Sequence, residues 1–139
     1  MTTQRNDKVV RTADVIAPYR GKLVLVKRLK TPFGLALPGG HVDPGETPKR
    51  TAVREFTEET GLTLRNVKFF AERKGKRRDP RYRMSKTRVY VGSATGKPKN
   101  ERGHTKVVLM GIKKVRTLPK EHFAFDHWSI LKKYFQECA

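Results

Sequence analysis

The chain has 139 residues, 36% of them hydrophobic, and its 32 Lys and Arg outnumber 13 Asp and Glu for a net charge of +19. That length suits one domain, residues 1–139, with a real core. It excludes compositional disorder, and no apolar run approaches the roughly 20 residues that would span a bilayer, so no membrane partner is expected. The only cysteine, Cys138, excludes an internal disulfide, and the N-terminus lacks the apolar stretch of a secretory signal, so a cytoplasmic setting is expected.

In chain order, Val9 to Ala17 reads as a strand stopped by Pro18. Tyr19 to Lys22 reads as a turn, and Leu23 to Leu29 as the return strand. Thr31-Pro32-Phe33-Gly34 breaks it, and Leu35 to Leu37 is a short strand running into Pro38-Gly39-Gly40. The next element is the best-marked helix. Thr47 can cap it, Pro48 suits its first position, and Gly61 suits a left-handed C-terminal cap. Ala52, Val53 and Phe56 supply its apolar side. Leu64 to Phe70 reads as a strand, Lys74 to Arg81 as a charged loop, and Val89 to Ala94 and Lys106 to Val115 as further strands. Asp126 can cap a last helix whose apolar side carries Trp128, Ile130, Leu131, Tyr134 and Phe135. Irregular alternation of strands and helices predicts an α/β fold with a mixed sheet and helices packed against it.

Charge is unevenly distributed. Arg73 to Arg88 holds nine basic residues and one acid, whereas five of the 13 acids lie between Asp43 and Glu59. An acidic knot in a basic chain reads as a metal site inside a phosphate-attracting surface, and the net charge admits nucleotide or nucleic-acid partners. Glu55, Glu58 and Glu59 stand at i, i+3 and i+4, on one helical face, where their mutual repulsion costs a few tenths of a kcal/mol per pair, at about that size in isolated helices. A divalent cation reverses the sign of that effect, and Mg2+ favours such oxygen ligands, with Mn2+ a second candidate. The preceding loop, Pro38 to Glu46, contains three glycines and two prolines, so its backbone can turn tightly and approach a ligand. Arg54 can bind a carboxylate bidentately, and Glu46 is the obvious partner.

Taken whole, Gly40, Glu46, Arg54-Glu55-Phe56-Thr57-Glu58-Glu59-Thr60-Gly61-Leu62 resembles the signature of the Nudix hydrolases at every fixed position. The resemblance implies an α/β/α sandwich with a mixed sheet. It implies that Glu55, Glu58 and Glu59, with the Gly40 carbonyl, hold metal, and that Glu46 and Arg54 brace the loop. Glu58 or Glu59 would serve as base in the attack of water on a diphosphate linked to a nucleoside.

Arg78-Asp79-Pro80-Arg81 and Ala124-Phe125-Asp126-His127 resemble segments of the ADP-ribose pyrophosphatase subgroup, which implies ADP-ribose as substrate and AMP and ribose 5-phosphate as products. Arg78 and Arg81 are then candidates for binding the diphosphate or terminal ribose. Glu101, the only acid in the loop from Lys99 to Thr105, is the candidate auxiliary catalyst, with His104 as the other general-base candidate there. Trp128, Tyr82, Phe33 and Phe70 are candidates to stack on a base. Two alternatives stand beside this reading: a hydrolase for a more anionic substrate (a nucleoside triphosphate, a dinucleoside polyphosphate or capped RNA), and a non-catalytic nucleotide or nucleic-acid sensor. Homodimerisation is common in the resembled subgroup.

Overall fold

The computed structural model describes residues 8–100 and 103–138. In chain order these form β1 (Val10–Ile16), β2 (Pro18–Tyr19), β3 (Lys22–Arg28), β4 (Gly34–Ala36), β5 (Gly39–His41), α1 (Pro48–Thr60), β6 (Thr63–Lys76), β7 (Met84–Thr95), β8 (Thr105–Gly111), α2 (Ile112–Thr117) and α3 (His127–Glu137). One sheet is mixed, in the order β5-β1-β7-β6, with β1 and β7 parallel. A second is antiparallel and centred on β3, with β2 and β4 on one edge and β8 on the other.

Alternation along β1 explains the layers. Ala13, Val15 and Ala17 face α1 and pack with Ala52, Phe56, Leu62 and Leu64. Ile16 faces the opposite way and packs with Leu25, Val89, Ile130 and Leu131, against α3. Two apolar layers therefore lie on opposite sides of the strands, and the fold is α/β with helices on both faces.

Several expected boundaries move: β7 begins at Met84 rather than Val89, because its pairing with β1 and β6 continues to that end. The strand from Leu23 does not return along β1; it pairs with the two-residue β2 through Arg20 and Gly21, both left-handed at φ 51° and 79°, the backbone that a two-residue hairpin requires. β6 runs past Phe70 to Lys76, because pairing with β7 continues to Lys76–Met84 and solvent-facing charges are compatible with a strand. That shortens the charged loop to residues 77–83. Lys106 to Val115 splits at Gly111, where the continuous apolar run Val107 to Met110, packing alternately on the two faces, gives way to the helical spacing of Ile112, Val115 and Leu118, all packed on the α3 side.

Candidate active site

Local capping fixes α1. The Thr47 hydroxyl accepts the Arg50 N–H at 3.2 Å, Pro48 occupies the first turn, and Gly61, at φ 75°, ends the helix with its N–H on the Thr57 carbonyl at 2.8 Å. The loop before it is tied to the helix through Arg54. Its Nε and one terminal nitrogen donate to the two Glu46 oxygens at 2.8 and 2.9 Å, and Glu46 also accepts the Thr51 hydroxyl at 2.6 Å. These bonds, Arg54 first, hold the Glu46 carboxyl down at about 2. The carboxylates around Arg54 in turn raise its own pKa.

The three helical carboxylates divide. Glu55 and Glu59 are more than nine-tenths buried, yet both line one cleft. Glu58, with its side chain 40% exposed, lies beside Arg54 at 3.2 Å and is not part of the cleft wall. β5 brings its glycines against this wall. Gly39 donates its N–H to Glu59 Oε1 at 2.7 Å, and a Cβ on Gly40 would lie 2.4 Å from the Glu55 carboxyl carbon. The absent side chain at Gly40 is therefore what lets backbone and carboxylate meet.

The cleft holds about 250 Å³ and has two electrostatic sides. Glu55, Glu59, Asp43 and Asp14 stand among its acids; Arg28, Lys30, Arg78 and Arg81 among its bases. Arg28 donates to the Pro32 and Thr31 carbonyls at 2.6 and 3.2 Å. Burial first, and Arg81 second, bring its pKa below the usual guanidinium value. Phe125 presents its ring between the two guanidinium groups, at 5.0 Å from Arg28 and 5.4 Å from Arg81.

Asp14 forms part of the floor. Burial alone would raise its carboxyl, but the hydrogen bonds of His127 and of the Thr87 hydroxyl at 2.6 Å, with the Arg78 guanidinium nearby, bring it below the ordinary range. His127 is itself buried. Its Nδ1 accepts the Leu37 N–H at 2.9 Å, so the proton of the neutral ring sits on Nε2, 3.5 Å from Asp14.

Arg78 and Arg81 both line the cleft, but each also holds an acid. Arg78, with its side chain 8% exposed, grips both Asp126 oxygens at 2.9 and 2.5 Å and donates to Ser85 at 3.1 Å. Arg81 grips Asp79 at 3.0 and 2.8 Å. Asp126 precedes α3 as expected but makes no side-chain capping bond there, because its carboxylate is engaged by Arg78. His104 lines the cleft; Glu101 lies outside the described residues. Of the stacking candidates, Trp128 lies on α3 and packs in the layer beneath it, Phe70 packs against Tyr134 of α3, Tyr82 bonds His41 at 2.8 Å, and Phe33 is exposed.

Sequence reasoning missed Asp14, Arg28, His41 and Phe125 as cleft residues. Only Asp14 carried a local signal: one acid inside the apolar run from Ala13 to Ala17.

Among the described residues no three His, Cys, Asp or Glu side chains converge into a ready-made cation cage. The donor chemistry nonetheless fits a hard divalent cation, which takes one or two carboxylates together with waters and substrate phosphates. Glu55 and Glu59 on one cleft wall, with the Gly40 backbone against Glu55, are such a set.

Comparison with known proteins places these features in context. The model of the NUDIX domain family matches residues 8–135. The chain is 33% identical over 125 residues to the ADP-ribose pyrophosphatase of Methanocaldococcus jannaschii, covering 88% of this chain and 71% of that protein. It is 38% identical over 76 residues to a putative 8-oxo-dGTP diphosphatase of Bacillus subtilis, covering 54% of this chain and 46% of that one. In fold it is similar to the NUDIX domain of Shewanella oneidensis NrtR, solved complexed with ADP ribose, at a TM-score of 0.83 and 21% identity over 100% of this chain and 94% of the other. It is also similar in fold to a bifunctional NMN adenylyltransferase/ADP ribose pyrophosphatase of Francisella tularensis complexed with AMP and a Mn ion. That likeness has a TM-score of 0.76 and 20% identity, over 95% of this chain and 42% of the other.

Proposed function

This chain belongs to the Nudix family and is a Nudix hydrolase, and from that premise we propose that it acts as one domain that hydrolyses ADP-ribose to AMP and ribose 5-phosphate with Mg2+ or Mn2+. The observation that carries the reading is the two-sided cleft. Glu55 and Glu59 face a space that Arg28, Lys30 and Arg81 also line, as a diphosphate held beside a cation requires. The relative from Methanocaldococcus jannaschii, an ADP-ribose pyrophosphatase that aligns with 88% of the chain, supports the choice of substrate.

In this reading Glu55, Glu59 and the Gly40 carbonyl would hold the cation, with Glu58, beside Arg54 on the same helix face, as a further carboxylate for it. A bound divalent ion lowers the pKa of an attacking water and neutralises charge on the bridging oxygens. The chain's own groups do the rest. Arg28 and Arg81 hold the diphosphate oxygens, and Phe125, between them, packs against the ribose or base. Arg78, already committed to Asp126, supports this wall more than it binds. Water attacks one phosphorus, the bond from that phosphorus to the bridging oxygen breaks, and the departing phosphate leaves with that oxygen. A carboxylate takes the water's proton; Glu59, in the cleft and oriented by the Gly39 N–H, is better placed for that than Glu58. Glu46 and Arg54 keep the loop against the helix.

A panel of ADP-ribose, NADH, dinucleoside polyphosphates, 8-oxo-dGTP and capped RNA, each with Mg2+, tests the proposal. ADP-ribose is expected to give the highest kcat/KM. Preference for capped RNA or a polyphosphate would replace this reading by that of a more anionic substrate, and no hydrolysis at all would favour a sensor.

A further inference from the structure

We propose that the sheet face bearing Arg11, Lys86 and Lys74 binds single-stranded nucleic acid. Register sets these three cations side by side. β1 pairs with β7 so that Arg11 lies opposite Lys86, and β7 pairs with β6 so that Lys86 lies opposite Lys74. Directly opposed residues share a face of the sheet, with strands about 4.8 Å apart. This is the α1 face, since the pair Val15 and Tyr90 further along the same strands packs into the core beneath α1.

Like charges directly opposed destabilise a sheet. One row away the same strands show the ordinary remedy: Arg88 lies opposite Glu72 and is bridged to it at 3.0 Å. Among the described residues no carboxylate bridges Arg11, Lys86 or Lys74 in this way. Lys76, Arg77 and Arg83, all exposed, extend the positive strip to the hairpin end. A chain of phosphates laid across the strands answers the row as Glu72 answers Arg88. The partner's single-stranded character follows from Phe69. It is 50% exposed, pairs with Tyr90 across the strands, and has the Arg88 guanidinium over its ring at 4.2 Å. An exposed ring backed by a guanidinium is a stacking platform for bases that are not already stacked in a duplex.

The test is fluorescence anisotropy of the full chain with a labelled uridine RNA of about 20 nucleotides. Single-stranded DNA and duplex RNA of equal length, and phosphatidylserine vesicles, are the other arms. Single strands are expected to bind best, with affinity falling steeply as salt rises. Replacing Arg11, Lys74 and Lys86 together by Gln is expected to weaken RNA binding about 100-fold at 0.1 M salt, and Lys74→Gln alone about fivefold, for one phosphate per cation. Phe69→Ala is expected to cost about tenfold on the uridine RNA and little on an abasic strand. The triple variant should melt no lower than the parent, because repulsion is removed, and should hydrolyse nucleotide at the same rate. Unchanged affinity in the triple variant, tighter binding of duplex than of single strand, or binding to vesicles without binding to RNA would overturn the proposal.

Discussion

The Nδ1 of His127 accepts the backbone N–H of Leu37 at 2.9 Å, joining the start of α3 to the residue that leads into Pro38-Gly39-Gly40 across 90 positions of sequence. The same ring turns Nε2 toward Asp14 at 3.5 Å. One buried imidazole thus spans the chain entering the glycine loop and the floor of the cleft.

Replacing His127 by Phe leaves the Leu37 N–H buried without its acceptor, and the expected cost is about 1–3 kcal/mol, the penalty for orphaning a buried donor. Urea denaturation measures it. Because the ring also fixes the strand before Gly39, kcat should fall in the folded variant while KM for nucleotide changes less. A variant as stable and as active as the parent would remove His127 from this role.

The adjacent glycines should fail in different ways. A Cβ on Gly39 would meet the Ala13 carbonyl oxygen at 2.2 Å, and that backbone cannot retreat without breaking the pairing of β1 with β5. Gly39→Ala is therefore expected to lose about 3 kcal/mol or more of stability, at the upper end of overpacking costs. On Gly40 the Cβ would meet the end of the Glu55 side chain, which can rotate aside. Gly40→Ala should stay folded by thermal melting yet lose most of its turnover, since it displaces the carboxylate assigned to the cation.

Arg78 and Asp126 form a two-point ion pair between the β6–β7 connection and the start of α3. Arg78 is almost fully buried and Asp126 partly so. Asp126→Asn is expected to destabilise by about 2–3 kcal/mol, below the full cost of breaking a buried pair because water reaches the Asp126 side. If Asp126 acted mainly as a helix cap, Asn would replace it almost without loss; a chemical-melt comparison distinguishes the two.

Glu46 carries the clearest dependence on pH. Its pKa is lowered in the folded chain from an ordinary 4.5 to about 2. A depressed carboxyl contributes stability that is fully present above its unfolded pKa and lost as pH falls through the folded one. Melting temperature should therefore decline between about pH 4.5 and 2, and Glu46→Gln should flatten that decline while lowering stability at neutral pH. An identical acid profile in Glu46→Gln would contradict the assignment.

What the sequence made legible was local. Thr47, Pro48 and Gly61 delimit α1 by chemistry that acts within one turn, and Arg54 finds Glu46 only eight residues away. What stayed hidden depends on distant pairing. Asp126 has the type and position of a helix cap, but the fold brings Arg78 to it from 48 residues away, and a charged bidentate partner displaces a neutral backbone N–H. Arg28 and Phe125 are unremarkable in their own segments and become cleft residues only when β3 and the approach to α3 meet. Val107 to Met110 is followed by Gly111 and Ile112 with no turn-forming polar cluster between them, so the change from strand to helix shows only in the wider spacing of Ile112, Val115 and Leu118 around Lys113 and Lys114.

The most direct measurement is product analysis after incubating ADP-ribose with the parent chain and with Glu59→Gln, each with Mg2+ and with a chelator. AMP and ribose 5-phosphate are expected in equal amounts from the parent with Mg2+ alone, with Glu59→Gln folded and at least 100-fold slower, a factor within the range expected for removing one general base. Equal turnover by Glu59→Gln, or undiminished turnover under chelation, would contradict the account of the cleft.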